Sequence, residues 1–172
     1  VVTMNSGLEA SAELGALMHV GQPERLAGQK AGERAAAEGV TNGLCLNQEA
    51  FNTALVDRCT GYFEGVGGDL NMIDVSNDPA QIETRTAAAL QADASIDGVL
   101  AVGPHVCEAA NRAIKEVGAD VHLACFDLSP GVMDMIQAGD AAFTIDQQQR
   151  LQGYMPVIVL HLYNTGAGLL PG

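Results

Sequence analysis

The sequence predicts an α/β fold, a doubly wound parallel sheet with helices on both faces. Two observations predict it. Short apolar runs alternate with helix-length stretches along most of the chain. Helix-length crossovers between short strands require parallel pairing, and right-handed crossovers then place helices on both faces. The length, 172 residues, suffices for one such domain with a proper core.

The elements follow in order. The opening "VVTM" (Val1–Met4) reads as a strand. "PERLAGQKAGERAAAEG" (Pro23–Gly39) is an Ala-rich helix closed by glycine. "NGLCLN" (Asn42–Asn47) is a short apolar strand, and "FNTALVDRCTGYFEGV" (Phe51–Val66) has helical spacing. "LNMIDV" (Leu70–Val75) is a strand, and "DPAQIETRTAAALQAD" (Asp78–Asp93) opens on Asp-Pro, a good helix start. "DGVLAV" (Asp97–Val102) precedes the helix "HVCEAANRAIKEVG" (His105–Gly118). "VHLACF" (Val121–Phe126) precedes the short helix "SPGVMDMIQAG" (Ser129–Gly139), and "AAFTID" (Ala141–Asp146) is the fifth strand of the run. The tail "YMPVIVLHLY" (Tyr154–Tyr163) reads as a helix apolar on most faces, with Pro156 in its first turn. The α/β domain therefore runs from residue 22 to 145, with residues 1–21 before it and 146–172 after it.

Composition excludes some functions. A formal net charge of −13 leaves no basic stripe to meet phosphates, so nucleic acid and anionic membrane are not expected partners. No apolar run is long enough to span a bilayer. The four cysteines form no Cys-x-x-Cys pair, which disfavours zinc and redox chemistry. Cys45 and Cys125 lie in apolar strand-like runs and read as small packed hydrophobes. One disulfide is allowed in an oxidising compartment, but spacing does not specify the pair. The histidines lack ligand spacing, so no metal is expected.

In doubly wound sheets the ligand crevice lies beyond the carboxyl ends of the strands. Those tips here carry "NQEAFN" (Asn47–Asn52), "SNDP" (Ser76–Pro79), "GPH" (Gly103–His105), Asp127, and "DQQQR" (Asp146–Arg150), with Arg58 on the first following helix. Each group has an ordinary use as a helix cap or a solvated side chain. Their shared placement is what points to a site. The chain has no Gly-rich phosphate loop and no nucleophile elbow, and His105 and Cys107 share one helix start without an orienting third group. Catalysis and a cofactor are therefore not expected. Amides, an arginine and a carboxylate suit polyhydroxyl ligands, whose hydroxyls both donate and accept.

The pieces "HVGQPERLAGQKAGE", "NQEAFNTALVDRCTGY", "DGVLAVGP", "CFDLSP" and "FTIDQQQRLQGY", in this order and spacing, resemble the periplasmic sugar-binding proteins of ABC transporters, of the ribose-binding type. The resemblance covers essentially the whole chain. It implies two doubly wound lobes joined by crossing strands, a monosaccharide or polyol ligand between them, no enzymatic activity, a periplasmic location, and a membrane permease as partner. By resemblance, Arg58 and Asp127 are ligand contacts, Gln147 is a hinge-side contact, and Asn5 is a contact from the other lobe. Gly103 stands where ribose binders carry a ligand asparagine, a departure that leaves the sugar open. Asn47, Gln48, Glu49 and Asn52 fall in the same region. The chain then reads as a second lobe (residues 22–145) with remnants of the first (1–21 and 146–172). Exposed remnants imply one of three outcomes: two chains pair through Val1–Met4 and Tyr154–Tyr163, the rest of the first lobe covers these segments, or the tail folds back onto its own second lobe. Two other readings share the fold: the sugar-sensing effector domain of a repressor, which needs a basic DNA-binding headpiece, and a small α/β enzyme, which needs a catalytic constellation.

Overall fold

A computed structural model describes residues 1–166. The chain divides into two compact units, Val1–Pro23 with Gln147–Gly172, and Glu24–Asp146.

The second unit carries a five-stranded parallel sheet. Its strands are β3 (Gly43–Asn47), β4 (Met72–Asp74), β5 (Gly98–Ala101), β6 (His122–Phe126) and β7 (Phe143–Ile145), in the order β4-β3-β5-β6-β7. Helices α1 (Glu24–Ala37), α2 (Thr53–Val66), α3 (Pro79–Ala92), α4 (Pro104–Val117) and α5 (Pro130–Ala138) accompany it. Local chemistry sets their ends. Asn52, Asp78 and Ser129 accept from backbone N–H groups at the starts of α2, α3 and α5. Gly67, Gly118 and Gly139 take the left-handed conformation that closes α2, α4 and α5.

Strand residues alternate between two cores. Leu44, Leu46, Val99, Ala101, Leu123 and Cys125 face the layer holding Ile82 of α3, Val106 and Ile114 of α4, and Val132 of α5. Cys45, Leu100, Ala124 and Phe126 face the other layer, with Ala31 of α1 and Leu55, Cys59 and Tyr62 of α2. Helices α1 and α2 approach until their backbones touch. A Cβ at Gly28 would fall onto the Arg58 carbonyl, so only glycine fits there.

Each layer holds one disulfide. Cys45 of β3 is bonded to Cys59 of α2, and Cys107 of α4 to Cys125 of β6, with Cα separations of 5.6 and 5.7 Å. This corrects the expectation that Cys45 and Cys125 pack as free thiols. Each of these strand residues points at the helix covering its own face, and the covering helix presents a cysteine at that height. Cys107 is thereby removed as a nucleophile beside His105.

The first unit pairs β1 (Thr3–Met4) in parallel with β2 (His19–Val20). A short 3₁₀ turn, Leu8–Ala10, lies between them, and α6 (Gln149–Asn164) packs on both strands. Thr3 Oγ1 bonds Ser11 Oγ at 2.6 Å and His19 Nδ1 at 3.0 Å. Helix α6 begins earlier than "YMPVIVLHLY" suggests, so Pro156 lies inside the helix and not in its first turn. The preceding Gln149–Gly153 stretch has no breaker strong enough to delay the start. The helix is also not bare on every side. Gln152, Pro156 and Val159 are buried, while Leu151, Tyr154, Val157 and Tyr163 are exposed.

Candidate functional site

The carboxyl ends of β3 to β7 collect the polar groups of the second unit. Asp127 follows directly on β6 and has φ 68°, a left-handed conformation that aspartate tolerates better than most residues. Its backbone is fastened from two sides. The Asp127 N–H donates to the Ile145 carbonyl at 2.8 Å, and the Thr144 hydroxyl donates to the Asp127 carbonyl at 2.7 Å. Helix capping is left to Ser129, whose Oγ accepts from the Val132 N–H at 3.0 Å and donates to Glu108 at 2.6 Å. Asp127 is half-buried.

Arg58 is buried at 4% exposure. Its Nε donates to Glu24 Oε2 at 2.6 Å, its Nη2 to Glu24 Oε1 at 3.0 Å, and its Nη1 to the Val102 carbonyl at 2.9 Å. The guanidinium also stacks 4.6 Å from the centroid of the Phe126 ring. Arg58 and Asp127 therefore stand at the same end of the sheet, since Val102 and Phe126 mark the ends of β5 and β6. Three of the guanidinium's donors serve the protein itself, and only the two remaining N–H groups are left for anything else. Glu24 is the partner that the sequence does not reveal. A glutamate in a first helical turn has an ordinary dipole role, and nothing local says that it meets an arginine from another helix.

The loop after β3 is tightly built. Asn47 is buried, and its Oδ1 accepts from the Glu49 N–H at 2.9 Å. Asn52 caps α2 and donates to Glu49 Oε2 at 2.8 Å. Asn47 and Asn52 thus hold the loop, and Glu49 is exposed at its rim. Gln48, Glu49, Phe51, Asn52, Asp74, Ser76 and Asn77 line a cleft of about 570 Å³ beyond β3 and β4. Phe51 is wholly exposed on it. Asn77 does not cap α3; Asp78 does, and Asn77 Oδ1 lies 3.1 Å from His105 Nε2. Gly103 opens α4 without a side chain to cap it.

Asn5 and Gln147 belong to the first unit. Asn5 Nδ2 donates to Gln152 Oε1 at 3.2 Å, and Gln152 Nε2 donates to the Gln147 carbonyl at 2.8 Å. Asn5 has φ 67° and follows β1 directly.

Among the described residues, the non-glycine residues with positive φ are Asn5, Ser76, Asp127 and Gln148. All four lie just past a strand: after β1, β4, β6 and β7. Unfavourable backbone conformations persist only where surroundings enforce them, and they cluster at ligand sites.

The model of the periplasmic binding protein domain matches residues 1–167. The fold is also that of solved structures. A carbohydrate transporter from Acidothermus cellulolyticus 11B, in complex with myo-inositol, is 37% identical with a TM-score of 0.91, over 96% of this chain and 58% of that one. An ABC sugar transporter (periplasmic sugar binding protein) from Legionella pneumophila is 21% identical with a TM-score of 0.89, over 99% of this chain and 66% of that one. An ABC transporter solute binding protein from Agrobacterium vitis with bound D-fucose is 19% identical with a TM-score of 0.83, over 96% and 60%. The last two show the fold alone. The chain spans less than two thirds of each of these structures. No curated protein matches the sequence.

Proposed function

This chain belongs to the periplasmic binding protein domain family, and on that premise we propose that it binds a neutral polyhydroxyl ligand for an ABC-type uptake system, without turning it over. The observation that carries the reading is Asp127. A half-buried carboxylate stands at the tip of β6 in an enforced left-handed conformation, while the neighbouring Ser129 does the capping. A carboxylate at such a tip accepts from ligand hydroxyls, and hydrogen bonds to charged groups are the stronger kind. Arg58 serves this site mainly as a positioning residue. It ties α1 and α2 to the ends of β5 and β6 through Glu24, Val102 and Phe126.

A cyclic polyol or a monosaccharide is the ligand class. The 37%-identical structure holds myo-inositol, which favours a cyclitol. Two buried disulfides support folding in an oxidising compartment, consistent with the periplasm. Among the described residues no helix is long and apolar enough to cross a membrane. The partners of this reading are a membrane permease and a second copy of the chain. Pairing through Val1–Met4 and Tyr154–Tyr163 is supported by Val1, Tyr154 and Val157, which are 68%, 60% and 65% exposed. Sedimentation across concentrations tests it; a monomer at every concentration refutes it.

The ligand reading is tested by amide NMR titration with myo-inositol, D-fucose and other sugars at millimolar concentration. Shifts in the residues after β5 and β6 are expected. No shift with any of them overturns the reading.

A further inference from the structure

We propose that Gln48 supplies the side chain that Gly103 lacks, and so determines which polyhydroxyl ligand the strand tips accept. The inference rests on the ligand-binding reading above.

The sheet order places β3 beside β5. From β3 the chain departs into α2 on one face, and from β5 into α4 on the other. The crevice of a doubly wound sheet opens where consecutive connections part in this way. Gln48 is the first residue beyond β3, and Gly103 lies just beyond β5. The two therefore face each other across the parting.

Gly103 has φ −162°, extended backbone open to any residue, so its conformation does not demand glycine. Space does. A Cβ there would lie 3.0 Å from Gln48 Nε2 and 3.6 Å from both Gln48 Cδ and His105 Cε1. The Gln48 amide fills the volume that a side chain at 103 would enter. Its Oε1 is buried and has no hydrogen-bond partner among the described residues. A buried acceptor without a donor costs free energy, and its persistence requires an explanation. Among the described residues no neighbour supplies a donor to it, and the nearby His105 Nε2 lies 3.1 Å from Asn77 Oδ1 instead.

Gln48 is thus the adjustable group at the parting. The terminal torsion of glutamine is broad, so Oε1 turns toward a ligand without moving the backbone. An amide offers an acceptor and donors side by side, which suits two adjacent hydroxyls of one ring. A ligand that presents such a pair to Gln48 is favoured. One that presents a single hydroxyl leaves the amide half satisfied.

The test is an NMR titration of the full chain with myo-inositol, D-fucose and D-ribose, using Gln48→Leu, Gly103→Ala and Asp127→Asn. Gln48→Leu is expected to change the ratio of affinities between ligands by about tenfold, the effect of one good hydrogen bond. Gly103→Ala should move the ratio the same way, because its Cβ displaces the amide. Ligand-free Gln48→Leu should melt no lower than wild type, since it removes an unpaired acceptor. A lower melting temperature shows that the amide serves the fold and overturns the proposal. Binding that is weakened in Asp127→Asn but keeps its ligand ratio in Gln48→Leu overturns this inference alone. A wild-type protein that binds none of the three overturns the ligand reading and this inference with it.

Discussion

Arg58 and Glu24 form a two-point ion pair sealed inside the second unit, with side chains 5% and 8% exposed. The pair joins the first turn of α1 to the middle of α2, and the remaining Arg58 bond runs to the end of β5. Removing one partner would strand a buried charge. Arg58→Ala and Glu24→Ala are each expected to cost about 3–5 kcal/mol, measured by urea unfolding. A double variant with apolar residues at both positions should recover much of that loss. If single and double variants are equally unstable, the pair matters only for packing.

The disulfides close loops of 14 and 18 residues. Loops of this size are worth about 3 kcal/mol each by chain entropy. Replacing both cysteines of either pair by alanine should lower stability by roughly that amount. All four cysteines are fully buried, so a thiol reagent should find no reactive group until the protein is both unfolded and reduced. Thiols titrating in unreduced, unfolded protein would refute the pairing.

Tyr62 is fully buried, and its hydroxyl has no hydrogen-bond partner among the described residues. Burial pushes its phenol well above the ordinary tyrosine value, with Asp97 adding to the rise. Tyr62→Phe removes an unsatisfied group at almost constant volume. It should leave stability unchanged or raise it by about 1 kcal/mol, as read by thermal unfolding. A loss of more than that would mean the hydroxyl has a partner after all.

Asp97 receives the Thr41 hydroxyl at 2.6 Å and the backbone N–H groups of Thr41 and Asn42 at 2.9 and 2.8 Å. Burial pushes its carboxyl up, but the Thr41 hydroxyl and these N–H groups outweigh it and leave it below the ordinary aspartate value. A depressed folded-state value means that the unfolded chain binds the proton more readily. The contribution is therefore full above the ordinary carboxylate range and is lost as pH falls through and below it. Asp97→Asn should flatten stability against pH on the acid side. An unchanged acid limb would show that Asp97 is not the group responsible.

Asp127→Ala should weaken binding of a polyhydroxyl ligand by about 1.5–3 kcal/mol, or roughly ten- to hundredfold, without unfolding the chain. Its backbone bonds to Ile145 and Thr144 do not depend on the side chain. Unchanged affinity would remove Asp127 from the site.

Much of the molecule is legible in the sequence because its signals are local. Apolar runs such as Leu44–Leu46 and Leu123–Phe126 alternate with stretches opened by Asn52, Asp78 and Ser129 and closed by glycine, and each such signal acts within one turn of chain. Parallel pairing then follows from crossover length, and it places Asn47, Ser76, Gly103 and Asp127 toward one end of the sheet before any coordinate is known. Asp127 and Gln147 as ligand contacts come from the resemblance in "CFDLSP" and "FTIDQQQRLQGY", not from a local signal, and they stand as proposals.

What only the tertiary structure decided depends on residues far apart in the chain. That Arg58 meets Glu24, that Cys45 joins Cys59 and Cys107 joins Cys125, and that Pro156 lies within α6 follow from how elements lie against each other and how far they extend. The same holds for Gln48 and Gly103, whose meeting requires β3 and β5 to be neighbours. A cap or an alternating strand is encoded within a few residues. A side chain's partner across the sheet is set by strand order and close packing, which the whole chain determines together.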